Sequence, residues 1–249
     1  MSTRKILAAV LGVVTLTLLI AFSGGNDRRV CNKVLINIDN QLNNHFVDNT
    51  DVMRLLTDGF TRQLEGALFA DINVRQLEKK LLLNPYIREA EIYRDLRGHL
   101  LVQVGLRRPM ARIVQAGGAD AYIAEDGTIL PVSDKFSARV LTISGKQVAA
   151  LTATENIAKS DFRPLYELVA YINRHDFWRA QIAQIELLDN GEVRLWPQVT
   201  KQYIEFGKPE KLTDKFKRLR VFYKDILPRK GWNTYKRVNV KYSNQIICE

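Results

Sequence analysis

The stretch IREAEIYRDLRGHLLVQVGL, residues 87–106, decides the fold of the N-terminal half of the chain. Alternate positions near its end are apolar, namely Leu100, Val102, Val104 and Leu106. This period of two is typical of a strand with one buried face. Residues 87–93 are predicted to form another strand, and the polar turn at 95–98 ends in glycine, as hairpin turns often do. The stretch therefore predicts two adjacent strands joined by a short turn.

One further strand and two helices are predicted before this stretch. Polar residues alternate with Val34, Ile36 and Ile38, which predicts a short strand. Residues 49–51 offer capping side chains for a helix that runs toward Leu56. Asn73 is a suitable cap for a second helix, whose apolar positions are Val74, Leu77, Leu81 and Leu82 and which Pro85 stops. The predicted order is β-α-α-β-β over about residues 32–107, with both helices on one face of a three-stranded sheet.

Residues 108–249 show a different pattern, dominated by short strands. Strands are predicted at 110–114, 121–124, 128–130, 139–143, 182–187, 192–196, 203–206, 237–242 and 245–248. Turns at 125–127 and 189–191 contain Asp-Gly or Asn-Gly and predict two hairpins. Helical spacing at 165–172 and a long amphipathic stretch at 209–226 predict helices packed on this sheet. The predicted fold class is α+β.

Residues 6–22 contain no charged side chain and predict an N-terminal transmembrane helix. Such a helix would be roughly 26 Å long, close to the ~30 Å hydrocarbon core of a bilayer. A cleaved signal peptide is the alternative, because small residues such as Ala21 and Ser23 suit a cleavage site. Both interpretations place the remaining chain outside the cytoplasm.

The orientation of this predicted single span depends on the size of the two flanking segments. Basic residues on its two sides nearly balance, so the positive-inside rule does not decide the orientation. The large C-terminal body favours a cytoplasmic tail at 1–5, a linker at 23–33 and a periplasmic body. The predicted localisation is therefore the inner membrane.

The net charge of +10 lies almost entirely in one segment. Residues 208–241 contain twelve Lys or Arg against three acidic residues, whereas residues 23–207 contain 23 of each sign. Outside the cytoplasm nucleic acid is not an available partner. An acidic protein segment or anionic lipid headgroups could bind the basic segment, and a solvated helix face without a partner is the third interpretation.

No catalytic, cofactor or metal site is predicted from the sequence. The three histidines lack metal-ligand spacing, and neither a phosphate-binding glycine loop nor a Gly-x-Ser-x-Gly elbow is present. Cys31 and Cys248 lie at opposite ends of the body, and we expect them to be unpaired. The chain is thus predicted not to be an enzyme and to have no small-molecule substrate, although an enzyme on a membrane anchor stays as an alternative.

Several motifs in order resemble those of the FtsQ/DivIB family. In the first part of the body they are EKKL (78–81), NPYI (84–87), AEIY (90–93) and GHLLVQV (98–104), which resemble a POTRA domain of that family. In the second part they are RPMA (108–111), AYIAEDGTILP (121–131), GW (231–232) and VNVKYSNQ (238–245). Their shared order from about Val34 to the C-terminus is more specific than any single motif, and the ending is similar to the Bacteroidetes branch.

This resemblance implies a POTRA domain at 34–107, an FtsQ-like β-domain at 108–249, and a bitopic scaffold of the bacterial divisome. Such proteins bind the coiled-coil proteins FtsB (DivIC) and FtsL, and help to recruit and regulate septal cell-wall synthesis. A POTRA-containing accessory protein of outer-membrane assembly or secretion is the alternative.

The resemblance also places the partner-binding strand at the C-terminus. The residues it implies are Lys241, Tyr242, Asn244, Gln245, Ile246 and Ile247. An edge strand with an aromatic residue and cations suits an acidic extended partner. In the alternative interpretation, Tyr242 is a core or cross-strand residue and Lys241 only protects the edge.

Overall fold

The computed structural model of the protein describes residues 29–39 and 44–249. Within these ranges no helix is both long enough and apolar enough to cross a membrane. The predicted tail at 1–5, the predicted transmembrane helix at 6–22 and most of the predicted linker lie outside the described residues.

The described chain divides into two compact units. The first comprises residues 29–39, 48–84 and 89–104, and the second comprises residues 44–47, 85–88 and 105–249.

The predicted β-α-α-β-β order is observed, and its elements lie in the first unit except for residues 87–88 and 105–106. They are β1 (Lys33–Asp39), α1 (Asn49–Leu56), α2 (Val74–Leu82), β2 (Ile87–Arg94) and β3 (His99–Leu106). A short 3₁₀ turn, Phe69–Asp71, precedes α2. The sheet has the order β1-β3-β2, so the strongly alternating strand β3 is central. Both helices bury their apolar stripes, and the buried side chains include Val52, Leu56, Leu77, Leu81, Leu100 and Val102.

Side-chain caps set the starts of both helices in this unit. The Asp48 carboxylate accepts a hydrogen bond from the Asp51 amide at 2.8 Å, which satisfies a backbone donor of the first turn. The capping residue is thus Asp48, one position before the residues 49–51 that were predicted to cap this helix. The Asn73 side chain accepts from the Gln76 amide at 3.1 Å, as predicted for α2.

The second unit is built on a nine-stranded mixed sheet, which confirms the predicted sheet-rich body. Its strands are β4 (Pro109–Ile113), β5 (Ala121–Ala124), β6 (Ile129–Pro131), β7 (Leu141–Gly145), β8 (Ile182–Leu187), β9 (Val193–Pro197), β10 (Tyr203–Gly207), β11 (Arg237–Asn239) and β12 (Ile247–Cys248). The order across the sheet is β12-β11-β10-β9-β8-β7-β4-β5-β6. Strands β4, β7 and β8 run parallel to one another, as do β10 and β11, and the other neighbours are antiparallel.

Helices pack against this sheet and close its core. They are α3 (Val148–Thr152), α4 (Arg163–Arg174), α5 (Asp176–Gln181), α6 (Leu212–Val221) and α7 (Leu227–Lys230), with a 3₁₀ turn at Ile157–Lys159. The core between helices and sheet is rich in aromatic rings. Phe216 of α6 lies 5.2 Å from Phe206 of β10 and 4.8 Å from Trp178 of α5, measured between ring centroids. These rings join α5 and α6 to the end of the sheet that carries β12.

The long helix predicted at 209–226 differs from the observed one at both ends. Lys211 has a left-handed backbone with φ of 50°, so regular helix begins only at Leu212. A π-helical turn, Phe222–Ile226, then connects α6 to α7. Pro228 cannot donate a backbone hydrogen bond, which explains why the regular pattern is interrupted just before it. The helical segment therefore continues to Lys230.

Strands β7 and β8 approach so closely that one position accepts only glycine. Gly145 has φ of +134°, and a Cβ atom built on it would lie 2.1 Å from the carbonyl oxygen of Leu187. No side chain fits at that distance. Gly145 therefore permits the parallel pairing at the centre of the sheet.

Candidate partner-binding edge

The sheet of the second unit ends at β12, one of its two edge strands. The residue pairs Val238–Cys248 and Asn239–Ile247 set the antiparallel register between β11 and β12. Just beyond them, Arg237 and Glu249 exchange both of their backbone hydrogen bonds, each 3.0 Å long. Because hydrogen-bonded and open pairs alternate in an antiparallel ladder, Ile247 also bonds to β11, whereas Cys248 directs its N–H and C=O to the open side.

Side chains alternate between the two faces of β12. Ile246 and Cys248 are partly buried and pack against the hydrophobic core. Ile247 points to the opposite face and is 36% exposed. The core thus holds the edge strand in place through one face, while the other face and the open backbone groups stay accessible.

The six predicted site residues lie together at this edge, but only one belongs to a strand. Ile247 lies in β12, whereas Lys241, Tyr242, Asn244, Gln245 and Ile246 form the connection from β11. The predicted strands at 237–242 and 245–248 are therefore too long. The Asn239 side-chain oxygen accepts from the Lys241 amide at 2.9 Å, and this local bond turns the chain away from the sheet. Asn244 adopts a left-handed conformation with φ of 61°, which completes the turn.

Tyr242 is exposed, which contradicts the interpretation that it is a core residue. Its exposed fraction is 52%. A large aromatic side chain beside an open strand edge is typical of the anchors of protein–protein interfaces.

Lys241 already has a partner within the protein. Its ammonium group forms a short ion pair with Glu192, and its aliphatic stem lies against Gly207. This pairing raises the pKa of Lys241, chiefly through the hydrogen bond to Glu192, and the same hydrogen bond is the main reason that the pKa of Glu192 is lowered. An acidic partner that binds Lys241 must therefore compete with Glu192.

Glu192 is a site residue that sequence reasoning missed. It follows the Asn190-Gly191 turn of the β8–β9 hairpin, 49 positions before Lys241. No local pattern links the two residues. Only the sheet order, which places β9, β10 and β11 side by side, brings their side chains together.

A cationic concavity of about 440 Å³ lies beside Lys241. Its basic lining residues are Lys208, Lys211, Lys215, Arg218 and Lys241, and its acidic ones are Glu192, Glu210 and Asp214. Lys215 is buried, and burial is the main cause that lowers its pKa. Its ammonium donates to the backbone carbonyls of Phe206 at 2.8 Å and Lys208 at 2.7 Å, so it fastens α6 to the end of β10.

Charged side chains also form a network on the sheet face near β12. The Arg237 guanidinium lies 3.5 Å from the Glu205 carboxylate and 2.5 Å from the Glu249 carboxylate. The Asn239 amide donates to Glu205 at 3.0 Å. Charged side chains beside an edge strand limit unspecific pairing with other strands.

The described residues contain no cluster of His, Cys, Asp or Glu side chains that could hold a metal ion. The two cysteines are free thiols, with Cys31 buried and Cys248 partly buried. Burial raises the pKa of both thiols, which favours the less reactive protonated form.

Comparison with known protein families assigns both parts of the chain. No curated protein is significantly similar to it. Residues 29–105 match the model of a POTRA-like domain. Residues 108–249 match the model described as FtsQ/DivIB, C-terminal related. Since this second match covers more than half of the chain, and the POTRA-like domain precedes it as in the predicted arrangement, the chain belongs to the FtsQ/DivIB family of cell-division proteins.

Proposed function

We propose that the protein is a bitopic inner-membrane scaffold of the divisome. It binds FtsB/DivIC-like and FtsL-like coiled-coil proteins through its periplasmic body and helps to recruit and regulate septal cell-wall synthesis. The role is non-enzymatic and needs no cofactor. The observation that carries this proposal is the open edge of β12, which can accept an additional strand.

Strand addition would use the backbone of the partner and of β12. Cys248 directs its N–H and C=O away from β11, so these two groups can bond to an incoming strand. Main-chain hydrogen bonds supply affinity in this mode, and the neighbouring side chains supply specificity. The short length of β12 and the charges nearby keep the edge from pairing with itself.

The connection before β12 supplies the proposed contacts for partner side chains. Tyr242 is the aromatic anchor, and Ile247 offers an apolar contact on the same stretch of chain. Lys241 and the cationic concavity beside it favour a partner with acidic residues next to its strand. Asn244, Gln245 and Ile246 complete the proposed surface.

Co-purification from detergent tests this function. We expect the tagged full chain to recover FtsB/DivIC-like and FtsL-like proteins, and Tyr242→Glu to lower their recovery more than tenfold, because interface anchors contribute about 2 kcal/mol or more. Tyr93→Glu is the matched control, since Tyr93 is similarly exposed but lies in the first unit. If Tyr242→Glu recovers the partners in full, the binding site lies elsewhere. If the unmodified chain recovers neither partner, the proposed partners are wrong.

A further inference from the structure

A second candidate binding site lies away from the β12 edge, at the start of three parallel strands. Strands β4, β7 and β8 are neighbours in the sheet and run in one direction, so their N-terminal ends lie side by side at the same end of the sheet. A groove of about 900 Å³ opens there. Three strands, β9 to β11, separate it from β12 within the sheet.

The walls of this groove are largely apolar. Phe136 and Val140 come from the segment that leads into β7, and Leu141 is the first residue of β7. Ile172 and Ile182 come from α4 and the start of β8. The position of Phe136 is set by aromatic packing, because its ring lies 5.0 Å from that of Phe46 in an edge-to-face arrangement. The groove is therefore a formed feature of the second unit.

Every charged side chain that lines the groove is an arginine. Arg108 precedes β4, Arg139 precedes β7 and Arg179 lies on α5, and no Asp or Glu belongs to the described lining. Arg179 has an ion pair of 2.7 Å with Asp176, whose side chain is 90% exposed. Within residues 29–39 and 44–249, neither Arg108 nor Arg139 has an ion-pair partner. Because the three parallel strands start at the same end of the sheet, the residues that precede them, including Arg108, Arg139 and Arg179, line one groove.

Most of the uncharged polar side chains that line the groove are engaged within the fold. The Thr142 hydroxyl donates to the Ala183 carbonyl at 3.2 Å. The Asn173 amide donates to the carbonyls of Val169 at 2.9 Å and Met110 at 3.2 Å. The guanidinium groups of Arg108 and Arg139 therefore remain as the strong donors available to a ligand, and their geometry suits carboxylates.

We propose that this groove binds an extended acidic peptide segment of a partner protein. Carboxylates of the segment pair with Arg108 and Arg139, and its apolar side chains contact the walls around Phe136 and Leu141. The volume is at the upper end of the range for ligand sites, which exceeds what a single small anion fills. The site is independent of strand addition at β12, and neither requires the other.

Peptide binding to the full chain in a non-ionic detergent tests this inference. The probe is a library of hexapeptides with Glu or Asp at two positions and Leu, Ile, Val or Phe at the others. We expect binders whose affinity falls at least tenfold with Arg108→Gln/Arg139→Gln, because each arginine loses charge-assisted hydrogen bonds. Lys217→Gln/Lys224→Gln removes the same charge from exposed positions of the same unit and should leave Kd unchanged. Ala138→Trp, which fills the groove without changing charge, should also weaken binding.

Four outcomes would overturn the proposal. The first is that no library member binds with a Kd below about 1 mM. The second is that the lysine and arginine variants weaken binding equally, which would indicate unspecific charge attraction. The third is that inorganic phosphate shows the same dependence on Arg108 and Arg139 and displaces the peptides at equal concentration. The fourth is that phosphatidylglycerol vesicles bind through these arginines while the peptides do not.

Discussion

Proline at two neighbouring positions of β12 should have opposite effects on folding and on partner binding. The N–H of Ile247 is directed to β11, because Ile247 pairs with Asn239 two residues from the hydrogen-bonded pair of Arg237 and Glu249. The N–H of Cys248 is directed to the open side. Ile247→Pro therefore removes an internal hydrogen bond, whereas Cys248→Pro removes a donor that only a partner would use.

The magnitudes follow from this difference. Ile247→Pro loses one backbone hydrogen bond, about 0.5–1.5 kcal/mol, and its ring also displaces β12 from β11. Cys248→Pro loses no hydrogen bond in the free protein, and proline is tolerated on the open side of an edge strand. In a complex formed by strand addition, Cys248→Pro should lose about 1 kcal/mol of binding free energy, which weakens binding about fivefold, before any steric effect of the ring.

Thermal melting and calorimetric titration with the FtsB/DivIC-like partner separate the two effects. Cys248→Pro should melt close to the unmodified chain and bind at least about fivefold more weakly, and Cys248→Ala controls for loss of the thiol. Ile247→Pro should lower the melting temperature. Unchanged partner affinity in Cys248→Pro would refute strand addition at β12, and a larger loss of stability in Cys248→Pro than in Ile247→Pro would refute the assigned direction of the two amides.

Three further predictions concern positions inside the second unit. Gly145→Ala should lower the free energy of unfolding by more than Gly191→Ala does, as measured by chemical denaturation. Gly191 also has positive φ, but the space around it is open, so its substitution should cost only ~1 kcal/mol. Glu192→Gln should raise the association rate of an acidic partner at low salt, because Lys241 is released from its ion pair; an unchanged rate would mean that Lys241 does not steer the partner. Burial raises the pKa of Tyr223 to about 12, so the folded state disfavours the phenolate, and this contribution to stability is present below pH ~10 and is lost as the pH rises toward 12. Tyr223→Phe should therefore flatten the loss of stability between pH ~10 and 12, as followed by denaturation at each pH.

Local patterns predicted the first unit well because its elements are defined by neighbouring residues. The alternation of Leu100, Val102 and Val104 matches a strand whose apolar face is buried, and β3 is that strand. The Asn73 cap depends on a hydrogen bond to Gln76, only three positions further along the chain. Such signals need no knowledge of the rest of the chain.

Predictions at the C-terminus were less accurate because non-local contacts decide them. Apolar alternation continues past Asn239, yet β11 ends at this residue. The Asn239 side chain accepts a hydrogen bond from the Lys241 amide, which turns the chain away from the sheet. Lys241 was predicted as a cation for a partner, and the structure pairs it with Glu192. The groove at the start of β4, β7 and β8 had no sequence signal, because its arginines lie 31 and 40 positions apart along the chain.

The sequence by itself indicated most of the strands and the longer helices, the α+β class and, through motifs in a shared order, the family. It could do so because hydrophobic periodicity, caps and turns act over a few residues. Only the tertiary structure decided which strands are neighbours, which edge is open, and which charges pair across the sheet. Those outcomes depend on packing and hydrogen bonding between residues far apart in the chain, and no local pattern encodes such partners.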